Sequence, residues 1–310
     1  MIEKTPLLNA LTHAILLCGL AVAFVPMWLV FVAATLTLTE INTPPISIIP
    51  GSHLWENLAE AWHRADLGAK LINSLIMSVA VAGGKIILSS VTAFGIVFFR
   101  FPGRMLAFWL IFITLMLPLE VRIVPTYAVA ANALSPYQAI LDTIGFTTLW
   151  ASLTGATIAL DWNLLNSYTG LVLPLVATAT GTFLYRQFFL TIPDELFEAS
   201  RMDGAGPVRF FREILIPLSN TNMIALFTIM FLYAWNQYLW PLLITTDRVH
   251  FGTAVTALRA LIPAMGDSTG GDVPNWNVAM AGCLIVITPP LIVVAALQRF
   301  FIRGLIATDK

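Results

Sequence analysis

Charged residues are scarce in this sequence: Asp, Glu, Lys and Arg make up 11% of its 310 residues, whereas hydrophobic residues make up 58%. Soluble domains carry about 25% charged residues, so this chain lacks the charge with which a soluble fold covers its surface. The high apolar content equally excludes intrinsic disorder. A net charge of −1 excludes the strongly basic surface typical of nucleic-acid-binding proteins. This composition is typical of a polytopic helical membrane protein.

Residues that build metal and catalytic sites are also sparse. The two cysteines, Cys18 and Cys283, lie in apolar runs without a CxxC motif, and the four histidines are scattered, so we expect no metal site. A GxSxG elbow, an HExxH motif and a clustered acid–base pair on one span are all absent, which argues against an intramembrane enzyme. The Walker pattern GxxxxGK[ST] is absent too, because its nearest candidate, Gly84-Lys85, lacks the first glycine and the final hydroxyl residue. We therefore expect no catalytic residue, no cofactor bound by this chain and no ATPase site.

Long apolar runs are what the sequence has instead. A helix needs about 20 apolar residues to cross a hydrocarbon core of about 30 Å. The runs are continuous and do not alternate, which favours helices over the strands of a membrane barrel. We predict an all-α polytopic membrane protein in which 1–310 form a single transmembrane domain. Its six spans are expected at about 14–36, 71–98, 105–128, 168–185, 220–244 and 276–298.

The distribution of Lys and Arg predicts the orientation of these spans. The N-terminus, 99–104, 186–219 and the C-terminus together hold ten of the 16 Lys and Arg, whereas the loops on the other side hold four. Because basic residues favour the cytoplasmic side, we expect both termini to be cytoplasmic. A seventh span at 137–160 is the alternative, and it would place the four arginines of 186–219 outside. We prefer six spans, with 131–166 as an outer-face insertion of short helices that lie on the membrane or dip into it.

The segment 192–218, between the fourth and fifth spans, is predicted to be a helical hairpin at the inner membrane face. Asp194 is a candidate N-cap for a helix through 195–202. Glu195 and Glu198 favour the N-terminal turn of that helix because of the helix dipole.

The second half of the hairpin has signals of its own. Gly204 and Gly206 permit the turn that ends the first helix, and Pro207 suits the first position of the second. The second helix carries an apolar stripe at helical spacing, formed by Val208, Phe211 and Leu215 and widened by Phe210 and Ile214. The stripe could pack under the protein's own spans or be offered to a partner.

A known signature matches this hairpin. Glu198-Ala199-Ser200 is followed by three residues, then Gly204, then nine residues, then Ile214-Leu215-Ile216-Pro217. This spacing resembles the coupling-loop signature of ATP-binding-cassette importer permeases, which reads EAA, three residues, Gly, nine residues and I-x-L-P. Ser200 stands for the second alanine of the signature, and Ile216 stands for its leucine.

The resemblance extends along most of the chain, to the carbohydrate-type permeases and most closely to the second membrane subunit of sn-glycerol-3-phosphate importers. Residues 131–166 depart from it by being longer than expected. The strings that carry it are FITLMLPLEVRIVP (112–125), SYTGLVLPL (167–175), YRQFFLTIPDEL (185–196), WNQYLWPLL (235–243) and QRFFIRGL (298–305).

The resemblance implies a multi-pass subunit of the bacterial plasma (inner) membrane that moves solute by alternating access. The implied partners are a second homologous permease subunit, two copies of an ATP-binding subunit that uses ATP and Mg, and a periplasmic or lipid-anchored solute-binding protein. Membrane lipid surrounds the chain, and no nucleic acid is expected. The expected solute is sn-glycerol-3-phosphate, with an oligosaccharide or polyol as the alternative and an ion-coupled secondary transporter as a further one. The residues expected to couple to the ATPase are Glu195, Glu198, Ala199, Ser200, Asp203, Gly204, Ile214 and Pro217.

Ionisable groups inside a membrane are costly and therefore indicate function. Glu120 and Arg122 lie near the outer end of the third span. The Arg122 guanidinium suits a phosphate-bearing solute, whereas a structural ion pair or snorkelling to the interface is the alternative. Lys85, in the second span, is interpreted as structural.

Polar residues also end the fifth span. Asn236, Gln237 and Tyr238 could line the solute pathway together with Glu120 and Arg122, or they could join helices to one another. Trp235 and Trp240 flank them and are expected to belong to an interfacial aromatic belt.

Overall fold

The computed structural model describes residues 6–114, 117–177, 179–262 and 274–307. Helices make up 78% of the structure, and the described residues contain no strand, which confirms the predicted all-α class. Internal contacts divide the chain into two compact units. The first consists of Met1–Leu71 and Thr256–Pro289, and the second of Ile72–Val255 and Pro290–Lys310.

The helices are numbered in chain order. They are α1 (Pro6–Thr35), α2 (Leu38–Asn42), α3 (Leu54–Arg64), α4 (Leu67–Phe98), α5 (Arg104–Ile113), α6 (Leu119–Ala131), α7 (Ser135–Thr143), α8 (Phe146–Thr154), α9 (Tyr168–Val176), α10 (Ala179–Phe189), α11 (Asp194–Met202), α12 (Pro207–Phe210), α13 (Ile216–Leu218), α14 (Asn220–Trp235), α15 (Leu239–Ile244), α16 (Arg248–Phe251), α17 (Ala254–Leu261) and α18 (Trp276–Ala307), with a π-helical turn at Phe211–Leu215 between α12 and α13.

Three described helices are long and apolar enough to cross a membrane by themselves. They contain Leu7–Thr35, Leu67–Phe98 and Trp276–Gln298, and they coincide with the first, second and sixth predicted spans. Two bent pairs, α9 with α10 and α12–α13 with α14, raise the number to as many as five if each pair counts as one span.

The third and fifth predicted spans are interrupted near prolines. In the third, α5 ends at Ile113 and α6 begins at Leu119, directly after Pro118. In the fifth, α14 ends at Trp235 and the short α15 follows at Leu239. A proline lacks the amide that would continue a helix, so neither segment is one continuous helix.

The segment proposed as a seventh span forms two helices rather than one. Gly145, with φ of +74°, separates α7 from α8, and each has nine residues. At 1.5 Å per residue each is about 14 Å long, too short to cross a bilayer. The turn is tied by Asp142, whose Oδ1 accepts from Gln138 Nε2 at 3.0 Å and from Thr147 Oγ1 at 2.6 Å.

A buried asparagine organises the first unit. The Asn57 side chain donates to the Ala34 and Leu36 carbonyls at 2.8 and 2.9 Å, which ties α3 to the end of α1. Asn277, on α18, donates to Asn57 Oδ1 at 2.8 Å. Buried amides need such partners, so these bonds fix how the three helices pack.

The core of the second unit includes both tryptophans that were expected at the interface. Trp240 and Trp235 are 0% and 2% exposed, so the aromatic-belt interpretation is wrong for both. The Trp240 indole nitrogen donates to the Gly170 carbonyl at 3.2 Å. A buried indole N–H needs an acceptor, and a backbone carbonyl provides it here in place of interfacial water.

Candidate functional site

The hairpin at 192–218 forms almost as predicted. Its first helix, α11, begins at Asp194, with Pro193 in the N-cap position, so Asp194 lies inside the first turn and is not the cap. Gly204 follows the helix with φ of +74°. The Gly204 amide donates to the Arg201 carbonyl at 3.0 Å, and the Ala205 amide donates to the Ser200 carbonyl at 2.9 Å. This pair of bonds is the Schellman motif that ends many helices at glycine.

The second half of the hairpin contains a feature that the sequence analysis missed. Gly206 caps α12, and Pro207 is its first residue, as predicted. The chain then widens into a π-turn, in which the Ile216 amide donates to the Phe211 carbonyl. In an α-helix the Pro217 ring would meet the Glu213 carbonyl, and the wider turn relieves this clash. A bend of 74° then separates this segment from α14.

Contacts between aromatic rings, tilted or edge-on, hold the hairpin to α4 within the second unit. The Phe98 ring lies 5.5 Å from Phe197 and 5.3 Å from Phe210, and these two rings are 5.0 Å apart. Phe94 contacts Phe211 at 5.0 Å. We call these five residues the phenylalanine cluster. It joins both halves of the hairpin to the C-terminal end of α4, and aromatic pairs at these distances add to the energy of burial.

The π-turn decides which apolar residues pack inward. Phe210 and Leu215 are fully buried, five residues apart, which is the spacing that a π-turn aligns. Val208, expected on the same stripe, is 77% exposed and therefore does not pack with Phe210 and Leu215. Met202, at the end of α11, is 84% exposed. The hairpin thus presents two large apolar side chains on its outer side.

Most of the predicted coupling residues lie at the surface of the hairpin. Ser200 is the exception, because it is buried and its hydroxyl donates to the Phe197 carbonyl at 2.7 Å. Ile214 is half-buried. The exposed residues are Glu195, Glu198, Ala199, Asp203, Gly204 and Pro217.

An ion pair stiffens the second half of the hairpin. Arg209 Nε donates to Glu213 Oε2 at 2.8 Å, one turn further along the chain. This hydrogen bond to the Glu213 carboxylate raises the pKa of Arg209. Both side chains are exposed, so the pair contributes little to stability and mainly orients the two charges.

A cavity of about 430 Å³ lies among four elements of the second unit that were predicted to be membrane-spanning. Its wall comes from α4, the α5–α6 region, α10 and α14. Volumes of about 300–1,000 Å³ are typical of small-molecule sites. Its polar lining residues are Lys85, Thr114, Glu120, Arg122, Thr180, Tyr233 and Gln237.

Lys85 is the most deeply buried charged group of the cavity wall. Its side chain is 2% exposed, and Nζ lies 4.1 Å from the centroid of the Tyr233 ring. Within the described part of the chain, no carboxylate pairs with it. A cation–π contact offsets some of the cost of burying an ammonium group but leaves its charge uncompensated.

Arg122 faces the same cavity. Its Nε is buried and has no hydrogen-bond partner among the described residues. Glu120 also lines the cavity, and no ion pair joins it to Arg122 within the described ranges. Among the described residues, therefore, neither Glu120 nor Arg122 forms the structural ion pair that was considered as an alternative.

The cavity brings together three of the five predicted pathway residues, namely Glu120, Arg122 and Gln237. Asn236 and Tyr238 are not among the residues that line it, and Asn236 is exposed elsewhere. The sequence analysis placed Lys85 in a structural role and did not consider Tyr233. The sequence indicated these two residues only weakly. Tyr233 lies one helical turn before Gln237, which places the two on the same face of the predicted fifth span. Lys85 reaches Tyr233 only because α4 packs against α14.

Comparisons with known proteins identify relatives over the full length of the chain. The chain is 46% identical over 316 aligned positions, covering 100% of both chains, to sn-glycerol-3-phosphate transport system permease protein UgpE of Yersinia pestis bv. Antiqua (strain Antiqua). It has the same identity and coverage with the protein of that name from Escherichia coli O1:K1 / APEC.

A solved structure shares the fold. The chain aligns with a TM-score of 0.70 and 17% identity to a chain of a bacterial ABC transporter involved in the import of the acidic polysaccharide alginate, covering 97% of this chain and 99% of that one. Residues 85–307, which include the hairpin and the cavity, match a family model described as "Binding-protein-dependent transport system inner membrane component". The chain belongs to this family of inner-membrane transport components.

Proposed function

We propose that the chain is the membrane-spanning permease subunit of an ATP-driven, binding-protein-dependent importer of sn-glycerol-3-phosphate. The observation that carries the proposal is the full-length identity of 46% to permease proteins named for transport of that solute. The cavity supports it, because two cations and several hydroxyl and amide groups suit a small phosphorylated polyol.

The proposal assigns the hairpin to coupling. A separate ATP-binding subunit contacts the exposed side of α11 and α12, where Glu198, Met202 and Val208 are accessible. Movement of that subunit reaches the spans through the phenylalanine cluster, because packed rings transmit displacement as a rigid body. Glu198 pairs with a basic residue of the ATP-binding subunit in this proposal.

The complete transporter comprises this chain, a second homologous permease, two ATP-binding subunits that use ATP and Mg, and an external solute-binding protein. In this assembly 1–310 act as one permease domain with six spans and both termini in the cytoplasm. The 131–166 segment then lies at the outer face. Glu120, Arg122 and Gln237 line the solute pathway, with Asn236 and Tyr238 close to its outer end.

Reconstitution tests this function. The purified assembly in proteoliposomes is expected to take up labelled sn-glycerol-3-phosphate only when ATP and the solute-binding protein are both present. Uptake driven by an ion gradient without ATP would instead identify a secondary transporter. ATP-dependent uptake of an oligosaccharide or an unphosphorylated polyol, but not of sn-glycerol-3-phosphate, would keep the transporter class and replace the solute.

A further inference from the structure

We propose that Lys85 and Arg122 form an anion subsite in the cavity that binds the phosphate group of the solute during its passage. This inference deepens the proposed function and rests on it for the identity of the solute. The subsite itself follows from the charges and burial of the lining residues.

The first observation is that the wall of one cavity contains two cations that form no ion pair with a carboxylate among the described residues. Lys85 is 2% exposed, and Arg122 has a buried Nε without a partner among the described residues. Both line the same cavity of about 430 Å³. Like charges that share a cavity repel each other, and the Glu120 carboxylate of the same cavity forms an ion pair with neither, so an anion that enters between the two cations is stabilised.

The second observation is that the two cations have complementary geometry. Tyr233 backs the Lys85 ammonium, so Lys85 acts as a fixed point charge. Arg122 adds a planar guanidinium with donors that match phosphate oxygens. Together they neutralise a phosphate dianion.

The remaining polar groups fit the rest of such a solute. Thr180 and Gln237 line the cavity and can bond hydroxyl groups. Glu120 shares the cavity and accepts hydrogen bonds from hydroxyls while repelling phosphate. The lining therefore orients a phosphorylated polyol with its phosphate toward Lys85 and Arg122.

Thiol labelling tests the charge of the cavity without relying on transport. Thr180→Cys is introduced into the full assembly after Cys18 and Cys283 are replaced by alanine. Labelling rates are compared for a negatively charged sulfonate and a positively charged trimethylammonium methanethiosulfonate of similar size. The negative reagent is expected to react faster, and inorganic phosphate or sn-glycerol-3-phosphate is expected to slow it.

Removal of each charge should change the ratio of the two rates. Lys85→Met and Arg122→Gln should each lower it about 25-fold, because loss of one unit charge at contact distance in water slows the negative reagent about fivefold and speeds the positive one about fivefold. Lys85→Arg keeps the charge and should keep the ratio, and Arg64→Gln, outside the cavity, should leave it unchanged. Arg122→Gln serves as the test if Lys85→Met does not assemble.

The proposed subsite is wrong if the two reagents react at equal rates. It is also wrong if neither Lys85→Met nor Arg122→Gln changes the ratio of the two rates. It is also wrong if neither Thr180→Cys nor Thr114→Cys can be labelled. Uptake by the same proteoliposomes separates the two proposals. If sn-glycerol-3-phosphate is taken up but the ratio of labelling rates does not depend on Lys85 or Arg122, only the subsite is wrong. If the ratio behaves as expected but that solute is not taken up, only the assignment of the solute is wrong.

Discussion

Gly204 and Gly206 flank Ala205 in the turn of the hairpin, yet only Gly204 has a backbone conformation that favours glycine. Its φ is +74°, whereas Gly206 has φ of −73°, and a Cβ at either position would meet nothing within 4 Å. The two positions therefore differ in backbone strain and not in available space. Other residues in the left-handed region cost about 1–2 kcal/mol.

We predict that Gly204→Val weakens the binding of the ATP-binding subunit, because the strained turn no longer holds α11 against α12. Gly204→Asn should retain more binding, since asparagine tolerates this conformation better. Co-purification of the two subunits and ATPase activity coupled to transport measure the effect. Gly206→Ala is the matched control, and an equal loss in that variant would contradict the explanation from backbone strain.

The two cations of the cavity show how far the role of a residue can be predicted before its neighbours in space are known. Its chemistry and its place in a span made Arg122 a candidate for contact with a phosphate, with a structural ion pair or snorkelling as the alternative. Lys85 is also a cation within a predicted span, but its role depends on the packing of α4 against α14, which brings the centroid of the Tyr233 ring to 4.1 Å from its Nζ. Sequence spacing within one helix carries no information about such a contact between helices.

The hairpin shows how much of an element local signals determine. Gly204, Gly206 and Pro207 predicted where its helices end and begin, because caps act within a few residues. The π-turn at Phe211–Leu215 was not predicted, since it depends on accommodating Pro217 next to packed rings. As a consequence, Val208 is 77% exposed, although periodicity placed it on one stripe with the buried Leu215.

Substitutions at two residues of α12 should therefore have opposite effects on the stability of the protein and on its binding to the ATP-binding subunit. Phe210 is 1% exposed and contacts Phe98 and Phe197, so Phe210→Ala should destabilise the isolated subunit by about 3–5 kcal/mol. Val208→Asp should leave the thermal stability in detergent unchanged and reduce binding of the ATP-binding subunit. Thermal unfolding and co-purification are measured on both variants. If Val208→Asp unfolds the protein while Phe210→Ala does not, the inner and outer sides of the hairpin are assigned wrongly.

Apolar composition predicts membrane-spanning segments in this chain but not their shape. The first, second and sixth predicted spans are continuous helices. The third, fourth and fifth are interrupted, and each interrupted segment contributes residues to the cavity wall. Hydropathy averages over a window, so it cannot distinguish a straight helix from one that breaks around a polar cavity.

Chain topology distinguishes six spans from seven. With six spans, Val208 is cytoplasmic and His250 is external, whereas a seventh span between 137 and 160 reverses both. Splitting of that segment at Gly145 into two nine-residue helices favours six. Both side chains are exposed, so cysteines at these positions should react readily.

We therefore predict that a membrane-impermeant maleimide labels His250→Cys in intact spheroplasts and labels Val208→Cys only in inside-out vesicles. Cys18 and Cys283 are replaced by alanine beforehand, and labelling after detergent treatment confirms that each new thiol is reactive. The positive-inside distribution supports this outcome, because it places the arginines of 186–219 on the side of the ATP-binding subunit. The reverse pattern would establish the seventh span, and it would also remove the hairpin from contact with any cytoplasmic ATPase.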